Sequence, residues 1–271
     1  MKTSHEKESA IGIFDSGVGG LTVVNEVIKA LPDENIIYFG DTARVPYGSK
    51  SKETVTKFSK QIVRFLLSKN VKTVIIACNT ASSSSYEALA DAFDVPFIEV
   101  VRPGVSLCLA QPGVKKVGVI GTERTVTSGA YERYLKQKRP DIAVFSKACP
   151  LFVPLAEEGW TDNAVADRTA EIYLRELVEK EIDALILGCT HYPLLKNCIQ
   201  KAIGDCRIIN PAEAAAQDIR RFLSDAGLLN LSEKPPVHAF YASDNTSKFD
   251  AVCRLVLGKP CSAEIVDIEG Y

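Results

Sequence analysis

The sequence predicts an α/β protein built from two doubly wound parallel-sheet domains, and three observations predict it. Short apolar runs of β type alternate with amphipathic helical segments from end to end, the pattern of a parallel sheet covered on both faces by helices. The run Val74-Ile75-Ile76-Ala77-Cys78-Asn79-Thr80 has a counterpart in Ala184-Leu185-Ile186-Leu187-Gly188-Cys189-Thr190, each an apolar strand that ends near a cysteine and passes into small polar residues. Ile11-Gly12-Ile13-Phe14-Asp15-Ser16 and Val117-Gly118-Val119-Ile120-Gly121-Thr122 form a second matched pair at nearly the same offset, so the chain reads as an internal duplication. Two halves that each offer one thiol at a strand end can set those thiols on opposite sides of one ligand.

The elements follow in order. Ile11 to Phe14 is a strand, Asp15-Ser16-Gly17-Val18-Gly19-Gly20 a turn, and Leu21, Val24, Val27 and Ile28 mark a helix that Pro32 terminates. A strand over Ile36 to Phe39 leads into Gly40-Asp41-Thr42-Ala43-Arg44-Val45-Pro46-Tyr47-Gly48-Ser49, a loop rich in turn residues. Val55, Phe58, Ile62, Phe65 and Leu66 lie on one helix face, and the strand carrying Cys78 comes next. After a short strand at Phe97 to Val100 the second half begins at Arg102-Pro103-Gly104. Its strands are Val117 to Ile120, Ile142 to Phe145 and Ala184 to Leu187, with helices near Ser128 to Lys138 and Asn163 to Lys180. Asn210-Pro211 marks the return crossing. A helix over Ala212 to Ala226, a strand over Val237 to Tyr241, a helix after Asp244 and a strand near Ile265 complete the first half, giving domains of 1–101 with 211–271 and of 102–210.

At 271 residues the chain buries enough to fold without staples. Lys and Arg number 32 against 34 Asp and Glu, which leaves no basic excess for binding nucleic acid. The first ten residues, MKTSHEKESA, are polar and carry no assigned role. No apolar run reaches the length of a membrane span, so a cytoplasmic protein is expected. Its eight cysteines are then expected to be reduced. Cys108, Cys198 and Cys253 fall in helical patterns and read as small buried hydrophobes.

Ligands of open α/β sheets bind at the carboxyl ends of the strands, where the conspicuous polar motifs of this chain lie. The glycine turn after Asp15 is no dinucleotide site, because Thr22 stands where the third glycine belongs, and no P-loop, because Gly-Lys is missing. Asp15 either caps the helix or orients an ammonium group or a thiol. Cys78-Asn79-Thr80 opens a helix whose free amides and dipole hold a carboxylate and favour a thiolate. Cys189 repeats the arrangement beside His191, an acid/base candidate for that thiol or for the substrate. Zinc would suit Cys78, Cys189 and His191, but no CxxC pair and no fourth ligand accompany them, and a redox pair fails on the same missing motif. Glu157, by composition alone, is either a solvated helix-end carboxylate or part of the site.

Six ordered segments, FDSGVGGLTV at 14–23, FGDTARVPYG at 39–48, IACNTAS at 76–82, VIGTERTV at 119–126, VPLAEEG at 153–159 and LGCTHYPLL at 187–195, resemble the cofactor-independent amino-acid racemases of the aspartate/glutamate superfamily over almost the whole chain. The resemblance implies two α/β domains related by pseudo-twofold symmetry, with the active site at their interface. It implies proton transfer by Cys78 and Cys189, Asp15 assisting the first and Glu157 and His191 the second. Ser16, Tyr47, Gly48, Asn79, Thr80 and Thr190, with Asp15 and His191, would hold the amino acid, and Pro46, Ser49, Thr122 and Thr125 would lie nearby. Tyr241-Ala242-Ser243-Asp244 departs from the Thr-Ser-Gly-Asp-like turn expected there, so Asp244 receives no role.

The expected activity is racemisation of L- and D-glutamate, which supplies D-glutamate for peptidoglycan and hence cell shape. No cofactor, metal, nucleic acid or membrane is expected to take part, and the assembly is expected to be a homodimer. Aspartate is the rival substrate, since one methylene is worth only about 1–3 kcal/mol of discrimination. A two-lobed binding protein that kept the fold without catalysis is the rival class, and the presence of both cysteines speaks against it.

Overall fold

The computed structural model describes residues 4–244 and 247–271; residues 1–3 of the polar N-terminal stretch lie outside the described residues. Among the described residues, ten strands form two all-parallel sheets. The strands are β1 (Ile11–Asp15), β2 (Ile36–Gly40), β3 (Thr73–Ile76), β4 (Phe97–Glu99), β5 (Lys116–Gly121), β6 (Ala143–Ala148), β7 (Ala184–Gly188), β8 (Arg207–Ile209), β9 (His238–Ala242) and β10 (Ala263–Ile265). The first sheet runs β10-β9-β2-β1-β3-β4 and the second β6-β5-β7-β8. The order β2-β1-β3-β4 is therefore repeated as β6-β5-β7-β8, which is the duplication read in the sequence now expressed as topology.

The helices are α1 (Ser4–Glu8), α2 (Leu21–Ala30), α3 (Lys52–Ser68), α4 (Asn79–Ala90), α5 (Val101–Leu109), α6 (Glu123–Thr127), α7 (Ala130–Lys138), α8 (Phe152–Glu157), α9 (Ala164–Glu179), α10 (Lys196–Ile203), α11 (Pro211–Asp225) and α12 (Ser247–Leu257). They cover both faces of each sheet, and this explains why the central strands are apolar throughout. Ile11, Ile13 and Ile75 point to the layer of α2 and α11, whereas Phe14, Val74 and Ile76 point to that of α3 and α4. In the second domain Val117, Val119, Ala184 and Ile186 meet α5 and α7, while Ile120, Leu185 and Leu187 meet α9 and α10. Each of the Val, Leu, Ile and Phe side chains among them, wholly buried, contributes about 1.5–3 kcal/mol.

Helix ends follow the sequence closely. Asn163 Oδ1 accepts from Val165 and Ala166 to start α9, and Asn210 Oδ1 accepts from Ala212 to start α11, with Pro211 in the first turn. Three details differ from the sequence reading. The helix expected near Ser128 to Lys138 is α7, and a short helix not read from the sequence, α6, precedes it, the two separated at Gly129 with φ of +62°. β6 runs to Ala148 rather than Phe145, because an edge strand tolerates Ser146 and Lys147 and so loses its apolar signature. β8 is three residues long and was not predicted.

One correction concerns a thiol. Cys253 is buried as expected, but it forms a disulfide with Cys261 and is not free. Gly258, at φ of +67°, turns the chain back after α12 and brings the two sulfurs together across a separation of only eight residues.

Candidate active site

β1 and β3 are neighbours in one sheet and β5 and β7 in the other, and residues just past their carboxyl ends, Ser16, Cys78, Thr122 and Cys189, line one cavity. Asp15 closes β1. The next residues turn back on it: Gly17 N–H donates to Asp15 Oδ2 at 3.1 Å, and Tyr38 Oη donates to the Gly17 carbonyl at 2.7 Å. Cys78 lies between β3 and α4, where its sulfur accepts from Ala81 N–H at 3.4 Å and sits 3.5 Å from Ser16 Oγ. Cys189 directly follows β7, and its sulfur is 3.8 Å from Nδ1 of His191. Both cysteines line one narrow cavity between the domains.

The second domain reaches the first through polar contacts. Thr190 Oγ1 donates to Asp15 Oδ1 at 3.3 Å, and Thr22 Oγ1 donates to the Thr190 carbonyl at 2.9 Å. Thr80 Oγ1 lies 2.9 Å from Thr122 Oγ1 and 3.2 Å from Thr125 Oγ1, closing a ring of three hydroxyls. Tyr131 Oη donates to Asn79 Oδ1 at 2.6 Å.

Burial and neighbouring charge decide the protonation states. Burial, with the Asp15 carboxylate beside it, pushes the Cys78 thiol up to about 12, and the contacts from Ser16 and Ala81 only partly offset this. This corrects the expectation that the helix start would favour a Cys78 thiolate: the amide contact is there, but desolvation outweighs it. Burial likewise raises Asp15 against the opposing effects of His191, the Gly20 and Gly17 amides and Thr190. For His191 burial acts downward, yet contacts with Cys189 and Glu157 and the fields of Cys189 and Asp15 lift it to about 10. Nε2 of His191 lies 3.2 Å from Glu157 Oε1, an ion-pair distance without hydrogen-bond geometry. The cavity thus has a protonated thiol at one end and, at the other, a sulfur facing an imidazolium.

Of the residues singled out in the sequence, Ser16, Pro46, Tyr47, Gly48, Cys78, Asn79, Thr80, Thr122, Cys189, Thr190 and His191 line this cavity. Asp15 and Thr125 stand behind it, held through Thr190 and Thr80. Ser49 and Glu157 line an adjoining, more apolar recess that shares Pro46, Gly48, Thr122 and Val153 with the cavity. Among the described residues, no group of three or more His, Cys, Asp or Glu side chains converges as metal ligands.

Sequence reasoning missed two supports. Asp41, fully buried, accepts from Arg44 Nε at 2.8 Å, from Ser243 Oγ at 2.8 Å and from the Tyr47 hydroxyl, so it organises the loop that brings Pro46, Tyr47 and Gly48 to the cavity. The Tyr47 hydroxyl is committed to this carboxylate. Tyr131 is the second, hidden in a helical pattern in which it reads as core. The signal for Asp41 was a carboxylate and an arginine three residues apart inside a loop already suspected of function.

Comparison with known proteins agrees with this geometry. A family model described as Asp/Glu/Hydantoin racemase matches residues 12–219. A glutamate racemase of Geobacter metallireducens is 50% identical over 250 residues, covering 92% of this chain and 93% of the relative. Among solved structures, glutamate racemase of Francisella tularensis in complex with D-glutamate superposes with a TM-score of 0.92 at 41% identity, covering 98% of this chain and 100% of the other. A glutamate racemase isoform of Bacillus anthracis gives 0.93 at 39% identity, covering 96% and 98%.

Proposed function

This chain belongs to the Asp/Glu/Hydantoin racemase family, and from that membership we propose that it interconverts L- and D-glutamate by proton transfer between two cysteines. The observation that carries the proposal is that Cys78 and Cys189, each from a different sheet, line the same cavity. Glutamate as substrate is supported by the relatives named glutamate racemase and by the D-glutamate bound to the Francisella protein.

In this reading one cysteine removes the α-hydrogen as thiolate while the other, as thiol, returns a proton to the opposite face, and the two states exchange with each turnover. The raised Cys78 thiol suits it to donate first, toward D-glutamate, while Cys189 beside the His191 imidazolium attacks L-glutamate. Glu157 holds His191, and Asp15 faces Cys78 and the substrate ammonium. The amides and hydroxyls around Ser16, Asn79, Thr80 and Thr190 bind the carboxylates, and their hydrogen bonds strengthen as the carbanion's charge spreads into the α-carboxylate. Pro46, Tyr47, Gly48 and Thr122 shape the rest of the wall, with Ser49 in the adjoining recess and Thr125 behind Thr80.

The working units of this proposal are residues 1–101 with 211–271 and residues 102–210, a division supported by the pairing of β9 and β10 with the first sheet. The physiological proposal is a cytoplasmic homodimer that supplies D-glutamate to peptidoglycan and so sustains cell shape. No helix among the described residues is long and apolar enough to cross a membrane.

The test is incubation of metal-free, cofactor-free protein with each enantiomer of glutamate and aspartate in D₂O, following optical rotation and loss of the α-proton signal. Glutamate alone is expected to racemise. A requirement for pyridoxal phosphate or a divalent metal would overturn the mechanism, preference for aspartate would overturn the substrate, and binding without turnover would overturn the enzyme assignment.

A further inference from the structure

Tyr131 touches both cysteine-bearing strand ends. Its ring packs against Gly188, the residue before Cys189, so closely that a β-carbon on Gly188 would lie 3.2 Å from Cε2. Its hydroxyl crosses to the first domain and donates to Asn79 Oδ1, beside Cys78, at 2.6 Å. The side chain is 2% exposed, in the core formed by α5 and α7 on β5 and β7, so its position is set by the second domain.

We propose that Tyr131 is a positioning residue that turns the Asn79 carboxamide toward the substrate when the two domains meet. The proposal rests on the racemase reading and deepens it. A phenol has one proton to give, and a carboxamide has one accepting and one donating end. Donation to Oδ1 therefore fixes Nδ2 as the end presented to the cavity that Asn79 lines. A fixed donor there suits a carboxylate, which accepts only. Burial keeps the phenol protonated, since it pushes Tyr131 well above its ordinary range. Without the bond the amide can rotate, and its oxygen would then face the substrate's negative charge. Asn79 and Tyr131 belong to different domains, so Asn79 is correctly turned only when the domains are together.

Tyr131→Phe removes one oxygen and keeps the ring on Gly188. Steady-state kinetics on the wild type, Tyr131→Phe, Asn79→Ala and the double variant form a cycle. Tyr131→Phe alone is expected to lower kcat/KM about tenfold to a hundredfold, the range for stranding a buried polar partner. In the Asn79→Ala background the same change is expected to have no further effect. Additive losses, or wild-type kcat/KM with a lowered thermal midpoint, would overturn the proposal and leave Tyr131 a core residue. Calorimetric titration of the same four proteins with D-glutamate separates this from failure of the racemase reading. If the wild type binds D-glutamate without turning it over, the activity is wrong, and the same cycle in Kd still decides the role of Tyr131.

Discussion

Gly19 lies against the imidazole of His191: a β-carbon built on it would fall 2.5 Å from Nδ1 and 2.5 Å from Thr190 Oγ1. The glycine belongs to the turn after β1 and the histidine to the turn after β7, so the absence of a side chain lets the ends of the two sheets approach. Gly19→Ala is expected to turn the imidazole away from Cys189 or to hold the domains apart. Turnover should fall about a hundredfold, the usual penalty for misplacing a reacting group by an ångström. The denaturation midpoint should hardly change, because separation of the domains relieves the contact. Unchanged turnover would show that the imidazole moves without consequence.

Much of this arrangement was legible in the sequence, for physical reasons. A parallel strand covered on both faces must be apolar throughout, so β1, β3, β5 and β7 announced themselves, and the polar residues that follow them mark the strand ends. What stayed hidden depends on the partner across the gap. Gly19 looked like any turn glycine until His191 stood against it, and Tyr131 looked like core because it is core except for one oxygen. The protonation of Cys78 was misread because a helix start argues for the thiolate, whereas desolvation and Asp15 are visible only in three dimensions. The Cys253–Cys261 pair stays hidden because it depends on the turn at Gly258 that brings Cys261 back onto α12.

Asp41→Asn is expected to loosen the substrate loop. The carboxylate accepts from Arg44, Tyr47 and Ser243 together, and an amide replaces one accepting oxygen with a donor. Because Tyr47 and Gly48 line the cavity, KM for glutamate should rise about tenfold, the lower range for losing a hydrogen bond to a charged group. A KM equal to that of the wild type would show that packing alone holds the loop.

The pH dependence follows from His191. Its folded value, about 10, lies above the unfolded value of 6.5, so the native state holds the extra proton. The resulting stabilisation is complete below pH 6.5 and is lost as the pH rises through 10. Cys78, raised from 9.0 to about 12, acts in the same direction at higher pH. Denaturant titrations from pH 6 to 10.5 should show the wild type losing stability relative to His191→Asn. The alkaline limb of kcat/KM near pH 10 should change in that variant. Parallel stability curves would refute the assignment of this limb to His191.

Lys72 and Glu34 form a buried pair at the opposite ends of the strands from the cysteines, with side chains 3% and 2% exposed. Lys72 also donates to the Lys7 and Leu228 carbonyls, and Glu34 Oε1 accepts from Asn230 N–H at 2.8 Å. Lys72→Met leaves a carboxylate buried without its cation, which should cost about 3–5 kcal/mol of stability. The double variant with Glu34→Gln should recover part of that loss. Activity of the folded fraction should be unchanged, and equilibrium unfolding with parallel rate measurements checks both statements.

The duplication makes the strongest demand on the two cysteines, since each domain supplies one of them to the same cavity. If each reaches only one face of the α-carbon, Cys78→Ala and Cys189→Ala should both abolish racemisation while leaving half of the chemistry intact. The Cys189 variant keeps Cys78 and should wash deuterium slowly into D-glutamate only. The Cys78 variant keeps Cys189 and its imidazolium and should wash deuterium into L-glutamate only. The Cys78 variant should also exchange the faster of the two at neutral pH, because the thiol left in the other variant is pushed up to about 12 and is rarely ionised. Proton NMR of each enantiomer in D₂O, with chiral separation to exclude inversion, reads both results. Near-normal racemisation by either variant would show that one base serves both faces, and exchange into the wrong enantiomer would reverse the assignment of faces.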